Sequence, residues 1–344
     1  MTKIQFGFCV PIFASPGGRL FRTPNYAQLH TATTMALATT ADDLGYDSLW
    51  VADHLMLGQD NAILEGWTTL AALAGATSQA KLGMIHMAHF FRYPAMTAKM
   101  TATLDQISGG RLIHFVDGGN RPAEYEAYGL PWLDSLEDRV RHFVEGVKLT
   151  VALWTSQQPL NFEGEFYQLK EAICTPQPLQ KPHPPIWFGE GRARPPVLEA
   201  CARYAQGWNT TPTDVATLRE RLHALAAACE KVGRPYDEIE KSLEMQILIA
   251  PDLETIRRQL QAMLTLAPRS GEPDPALEAF LSGSSDHIPD ALARTSIIGT
   301  PESVTEQLQA YIAAGISHFM LWFMDVPDQQ GLRLFAAEVA PRFQ

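Results

Sequence analysis

The sequence predicts a (β/α)8 TIM barrel with insertions, one domain over residues 1–344, and two observations carry that expectation. Apolar runs of strand length alternate with helical repeats eight times along the chain. Polar and reactive residues recur just past the ends of those runs, the edge at which α/β folds keep ligands. With 344 residues, 46% of them hydrophobic, the chain can bury a core of that size. A doubly wound parallel sheet is the alternative arrangement of the same alternation.

The clearest unit lies within 81–119. An apolar run from Leu82 to Met87 leads through an aromatic loop to Pro94; Met96, Met100, Thr103, Leu104 and Ile107 then repeat at helical spacing. Ser108, Gly109 and Gly110 stop that helix, and a second run follows from Arg111 to Val116. Two strands joined by a crossover helix lie parallel, with the helix packed on the sheet. Ahead of this unit, Ile4, Phe6, Phe8 and Val10 alternate as a first strand closed by Pro11. A turn-rich connection carrying Arg19 and Arg22 leads to a helix from Asn25 to Leu44, and the second strand runs from Asp47 to Ala52. Leu70, Leu73, Ala74 and Thr77 mark the helix after it.

Beyond the unit, Leu136, Val140, Phe143, Val144, Val147, Val151 and Trp154 follow the helical period, and Asp134, Glu137 and Asp138 suit its positive end. Residues 157–185 leave the rhythm as a hairpin turning at Glu163 and Gly164 and then a proline-rich run. A fifth strand spans Pro185 to Gly189, a helix Pro195 to Ala205, and a sixth strand starts at Gly207. Helix then continues through Lys231, and the seventh strand spans Leu243 to Ala250. Residues 266–290, rich in Pro, Gly and Ser, read as a mobile insertion. Thr300 and Pro301 open the last crossover helix, Gly315 ends it, Ile316 to Met324 is the eighth strand, and a helix from Gln329 to Ala340 covers the barrel.

A net charge of -11 and a pI near 5.4 argue against nucleic acid or anionic membrane as partners, since no basic run offsets them. Cys9, Cys174, Cys201 and Cys229 are scattered without a CxxC pair, which points to a reduced compartment. The first residues form no signal peptide, and no apolar run reaches the roughly 18 residues of a spanning helix, so a cytoplasmic location is expected. There is no GxGxxG after the first strand, no Walker A loop, no HExxH and no GxSxG, which removes several enzyme classes.

Asp53 and His54, just past the second strand, set an imidazole beside a carboxylate, able to relay protons or bond a polar ring. His86 and His89 are three apart on strand and loop, where that spacing does not make a metal pair, and no metal is expected. Asp117 and Gly118, and after them Asn120, follow the fourth strand; the glycines allow a tight turn or close backbone approach to a ligand. Gly189, Gly191 and Arg192 offer N–H donors and a guanidinium before a helix, a plausible phosphate cradle into which Glu190 brings an opposing charge.

The phrases GYDSLWVADH, LGMIHMAHFFRYPAMTAKMTATLDQISGGRL, GGNRPAEYEAYG, PPIWFGEG with ARYAQGWN, and GTPESVTEQLQAYIAAGISHFML together resemble the bacterial luciferase-like superfamily of flavin-dependent oxidoreductases. The resemblance implies a (β/α)8 barrel, usually dimeric, that holds FMN or the deazaflavin coenzyme F(420) at its carboxyl face. It places Asp53 and His54 beside the cofactor ring, a non-prolyl cis peptide at Ile85 and His86, and a phosphate grip at Gly189, Gly191 and Arg192. Asp117, Gly118 and Asn120 join the cofactor side; His89, Arg92 and Trp322 shape the substrate side. Three positions depart from the pattern: Asn120 stands near a catalytic Glu of some deazaflavin dehydrogenases, Gln206 replaces an Asp, and Glu190 replaces a small residue.

The expected function is a two-component FMN-dependent monooxygenase, supplied with reduced FMN by a partner flavin reductase and acting on a small organic molecule, with His54 as acid/base. A deazaflavin F(420)-dependent dehydrogenase working by hydride transfer is the first alternative. A non-catalytic flavin-binding barrel is the second. A homodimer is expected in each case.

Overall fold

The structure, a computed structural model, describes residues 3–16, 24–190, 192–266 and 274–344. Strand β1 (Gln5–Cys9) is followed by α1 (Thr31–Asp43), β2 (Ser48–Ala52), α2 (Gly66–Ala76), β3 (Lys81–Ile85), α3 (Pro94–Ser108) and β4 (Leu112–Val116). A short α4 (Pro122–Ala127) and the long α5 (Leu136–Thr155) precede an antiparallel hairpin, β5 (Leu160–Glu163) and β6 (Gln168–Ala172). The alternation resumes with β7 (Ile186–Gly189), α6 (Pro195–Tyr204), β8 (Gly207–Thr210), α7 (Val215–Val232) and β9 (Glu240–Ile249). After α8 (Leu253–Leu264), α9 (Pro275–Leu281) and α10 (Asp290–Ala293) come β10 (Ser296–Gly299), α11 (Pro301–Ala314), β11 (His318–Phe323) and α12 (Gln330–Leu334).

Eight strands close a parallel barrel in the order β1, β2, β3, β4, β7, β8, β9, β11, with β11 returning to β1. Every strand of the ring is buried along nearly all its length, because helices cover the outside and side chains fill the inside. The 10 residues of β9 serve two neighbours on one edge: Glu240 to Leu243 pair with β8, and Gln246 to Ile249 pair with β10.

Bulk inside the barrel comes from Trp50 and Trp187, whose rings lie 5.5 Å apart. Gly83 is a glycine for that reason, since a Cβ there would stand 2.2 Å from the Trp50 ring. Trp50 Nε1–H donates to Ser48 Oγ at 2.8 Å, Ser48 Oγ lies 2.8 Å from His318 Nε2, and His318 Nδ1 lies 2.9 Å from Glu240 Oε1. That chain has the connectivity of a nucleophilic triad, yet Ser48 and His318 are fully buried, so it works as a polar floor under the barrel.

Several boundaries differ from the sequence expectation. Helix α1 begins at Thr31 rather than Asn25, because Asn25 and Tyr26 are buried in an irregular approach to it. The segment 266–290 is expected to be mobile, but its described part builds α9 and leads into α10. Leu277, Phe280 and Leu292 pack with Ile256 and Leu260 of α8 into a second small core; residues 267–273, like Arg19 and Arg22, lie outside the described residues. The hairpin appears where expected, and Glu145 of α5 fastens it by accepting the N–H groups of Glu165, Phe166 and Tyr167.

His89 is part of that fastening and not of the substrate side. Its Nε2 lies 2.9 Å from Tyr167 Oη, and the ring is buried against Phe90 and Phe143. Burial, with His142 and His114 nearby, pushes its pKa down to about 3; burial does the same to His114, with His183 adding to it. Both histidines therefore fold neutral. As pH falls below the ordinary 6.5, the unfolded chain takes up protons that the folded chain refuses, and stability is lost until about pH 3. Chemical denaturation between pH 7.5 and 5 is expected to show this loss, about 1.4 kcal/mol per pH unit for each histidine. Replacing His114→Gln should flatten the slope.

Candidate active site

The carboxyl ends of β2, β3, β4, β7 and β8 converge on a pair of adjoining cavities. The deeper one is lined by Asp53, His54, His86, Asp117, Glu124 and Tyr125, among others. The wider one, about 530 Å³, shares His86, Asp117, Gly119 and Asn120 with it and extends past Trp132 to Arg139, Arg192, Arg194 and Arg221.

Asp53 does not serve His54. Its carboxylate is almost wholly buried and takes both Nη groups of Arg92 at 2.8 Å, together with Ala88 N–H at 2.9 Å. Arg92 reaches on to Glu65 Oε1 at 2.7 Å, and Glu65 caps α2 through the N–H groups of Trp67 and Thr68. Arg92 is thus spent on this network and lines neither cavity. A buried fork-to-fork pair is costly to break from one side, since the remaining charge is stranded.

The carboxylate that holds His54 is Glu124, which sequence reasoning missed. It arrives on α4, whose Pro122 start places Glu124 in the first turn. His54 Nδ1 lies 3.0 and 3.2 Å from its two oxygens, Leu55 N–H donates at 3.0 Å, and Arg121 Nε stands at 3.1 Å. Burial pushes the Glu124 pKa upward. The hydrogen bonds from His54 and Leu55, with the charges of His54 and Arg121, outweigh burial and hold it below the ordinary carboxylate range. Against an ionised Glu124, His54 carries a proton on Nδ1, so that in the neutral imidazole the Nε2 lone pair is open to a ligand. The acid that meets His54 thus lies four residues beyond Asn120, in the first turn of α4.

The peptide between Ile85 and His86 is cis, as the resemblance implied. It ends β3 and brings His86 Nε2 to 3.2 Å from Asn209 Oδ1 and 3.6 Å from Glu244 Oε2. Gly189 makes room for this: a Cβ there would lie 3.0 Å from His86, Asp117 and Phe115. Trp322 donates Nε1–H to Glu244 Oε1 at 2.6 Å and stands on the far wall, outside both linings. Asp117 Oδ1 accepts Gly119 N–H at 2.7 Å, tightening the turn that sets Asn120 on the shared edge, while Gly118 borders a narrow cleft behind it. The Tyr125 hydroxyl is buried at the deeper cavity without a hydrogen-bond partner among the described residues.

The phosphate cradle takes a different form from the one expected. Gly191 lies outside the described residues, and Arg192 N–H already donates to Glu190 Oε1 at 2.5 Å. Arg194 Nε binds the other oxygen at 2.8 Å. Among the described residues, no group of three or more His, Cys, Asp or Glu side chains is arranged to hold a metal. None of the described helices is long and apolar enough to cross a membrane.

The family profile of luciferase-like monooxygenases matches residues 5–318. The chain belongs to the luciferase-like monooxygenase family. It is an enzyme, a flavin- or F420-dependent oxidoreductase or monooxygenase. This luciferase-like chain is 29% identical over 320 residues to an F420-dependent glucose-6-phosphate dehydrogenase of Nakamurella multipartita, covering 90% of this chain and 91% of the relative. It is 28% identical over 266 residues to an FMNH(2)-dependent dimethylsulfone monooxygenase of Pseudomonas putida, covering 72% and 70%. Two solved structures share the fold over 99% of this chain. A Streptomyces bottropensis monooxygenase has a TM-score of 0.77 at 24% identity over 100% of its own chain. An F420-dependent secondary alcohol dehydrogenase has 0.76 at 22% over 99% of its own.

The ion network around Asp53 sets a stability test. Arg92→Ala is expected to cost about 3 to 5 kcal/mol in urea denaturation, because Asp53 is left buried and unpaired. Glu65→Ala, at the solvent end of the same network, should cost about 1 kcal/mol, the value of a helix cap.

Proposed function

We propose that this enzyme is a deazaflavin F(420)-dependent dehydrogenase acting on a small organic alcohol. The observation that carries the reading is His54, held through Nδ1 by the buried Glu124 carboxylate and facing a cavity that opens into an arginine-lined chamber. The residues present fit such a coenzyme: four arginines against Asp117 and Glu190 make the chamber cationic, as an anionic tail requires, and the orphaned Tyr125 hydroxyl offers a donor at the deep end. Arg139, Arg192 and Arg221 would hold the tail, with Asp117, Gly118, Asn120 and the turn at Ile85 and His86 against the ring. Bound there, the deazaflavin supplies the hydride acceptor.

His54 Nε2 would take the hydroxyl proton of the alcohol, and Glu124 stabilises the imidazolium that results. Asp53 and Arg92 hold the loop on which the turn at His86 stands. Trp322, bonded to Glu244, fixes that carboxylate beside His86 from behind the cavities. The dehydrogenase relative from Nakamurella multipartita supports the cofactor assignment, and Glu124 acts through His54 as its positioning carboxylate.

The second reading, a two-component FMN monooxygenase fed by a partner flavin reductase, is favoured by the dimethylsulfone monooxygenase relative. A homodimer is part of either proposal. The α2 and α3 faces leave an apolar groove lined by Trp67, Met100, Leu104 and Ile107 that a second copy could cover.

Titration of purified protein should quench deazaflavin fluorescence saturably, and an alcohol panel should reduce the deazaflavin without oxygen. Binding of FMN alone, with oxygen uptake, would favour the second reading; no turnover with either cofactor would leave a binding barrel. His54→Ala should keep the far-ultraviolet circular dichroism and lose at least about tenfold in turnover, a typical general acid/base contribution.

A further inference from the structure

Glu190 stands at the first position after β7, in the loop that leads to Pro195 and α6. Its side chain is fully buried. One oxygen takes the Arg192 N–H at 2.5 Å, and the other takes Arg194 Nε at 2.8 Å. Its backbone is also fixed, since Glu190 N–H donates to Asn209 O at 2.9 Å in continuation of the β7–β8 ladder. The carboxylate thus sits where a loop N–H and a guanidinium converge ahead of a helix, donors of the kind that bind a phosphate.

We infer that Glu190 is a specificity residue, an internal anion that occupies the donors of the β7–α6 loop and turns away a ligand ending in a compact phosphate. A phosphomonoester would approach with nearly two negative charges and meet a carboxylate that solvent does not screen. The Arg192 N–H and Arg194 Nε are already bonded to Glu190, so a phosphate that displaces neither goes without them.

The rest of the chamber keeps its positive character. Arg221 reaches Thr210 Oγ1 and the Thr211 carbonyl through Nη1, and Arg139 lies over the Trp132 ring at 4.6 Å. Both line the chamber along with the Arg192 side chain. These cations are spread around the wall rather than gathered at one point, an arrangement suited to charge distributed along a tail. The inference deepens the deazaflavin proposal, and rests on it only for the identity of the preferred ligand: the chamber admits an extended polyanion and rejects the terminal phosphate of FMN.

The test compares FMN with riboflavin, which differ by that phosphate alone, in fluorescence titrations of the full-length protein and two variants. In the unaltered protein FMN should bind at least about threefold more weakly than riboflavin, because its phosphate meets the Glu190 carboxylate. Glu190→Ser frees the Arg192 N–H and Arg194, and should tighten FMN at least about tenfold, equivalent to ~1.4 kcal/mol, while riboflavin moves less than about threefold. Glu190→Gln removes the charge but keeps the shape, and should shift FMN in the same direction by a smaller factor.

FMN binding as tightly as riboflavin, or more tightly, in the unaltered protein overturns the inference. So does a Glu190→Ser protein that gains equally for both flavins, or for neither. If Glu190→Ser fails to fold, judged by its thermal transition, the unaltered ratio and Glu190→Gln decide. The deazaflavin titration is read separately: its failure removes the proposed cofactor while leaving the flavin ratio, and hence the role of Glu190, standing.

Discussion

The buried ion pair between Asp53 and Arg92 is the constraint on which the site depends. Asp53 directly follows β2, Arg92 and Ala88 belong to the loop after β3, and Glu65 caps α2, so one carboxylate and one guanidinium tie three separate segments together. The loop carrying Ala88 and Arg92 follows directly on the cis peptide at Ile85 and His86. With Asp53 committed to this structural task, a different acid holds the imidazole next door, and Glu124 does so from α4. Adjacent residues in the chain thereby divide the work: position 53 ties the loops together, and position 54 faces the cavity.

The site separates into two electrostatic zones. In the deep zone the histidines are paired with acceptors, His54 with Glu124 and His86 with Asn209 near Glu244, so each ring has a set orientation. In the outer zone four guanidiniums face solvent-accessible space, and Glu190 is the acid most closely bound among them. A proton can be handled in the first zone while charge is held in the second.

Much of the fold was legible because periodicity reports burial directly. The strands at 48–52, 81–85, 112–116, 186–189 and 207–210 fall within a residue or two of their expected bounds, since each is an apolar run with turn formers beside it. What escaped is tertiary in origin. Strand β10 is only four residues long and joins β9 outside the ring; α9 is short and owes its place to the contact of Phe280 with α8. Within the site, Asp53 and His54 stand at the carboxyl edge of the barrel as the sequence suggests, but adjacency in the chain suggested a pairing that the structure does not make. His89 looked available because it sits in a polar-edged loop; only the packing of the hairpin and α5 shows that it is sealed in. Glu124 carried a weak signal, an acid early in a short helix, and nothing local told which histidine it would meet.

The shared edge of β9 bears on the shape of the chamber. Because β8 pairs only with Glu240 to Leu243, and β10 takes over from Gln246, the barrel wall parts above that point, beside Thr211 and Arg221. The width of the chamber is therefore written into main-chain pairing rather than into the size of its lining side chains. Exchanging those side chains retunes which charges the enzyme welcomes. Enlarging or narrowing the opening itself would require moving the point at which one strand hands its neighbour to another.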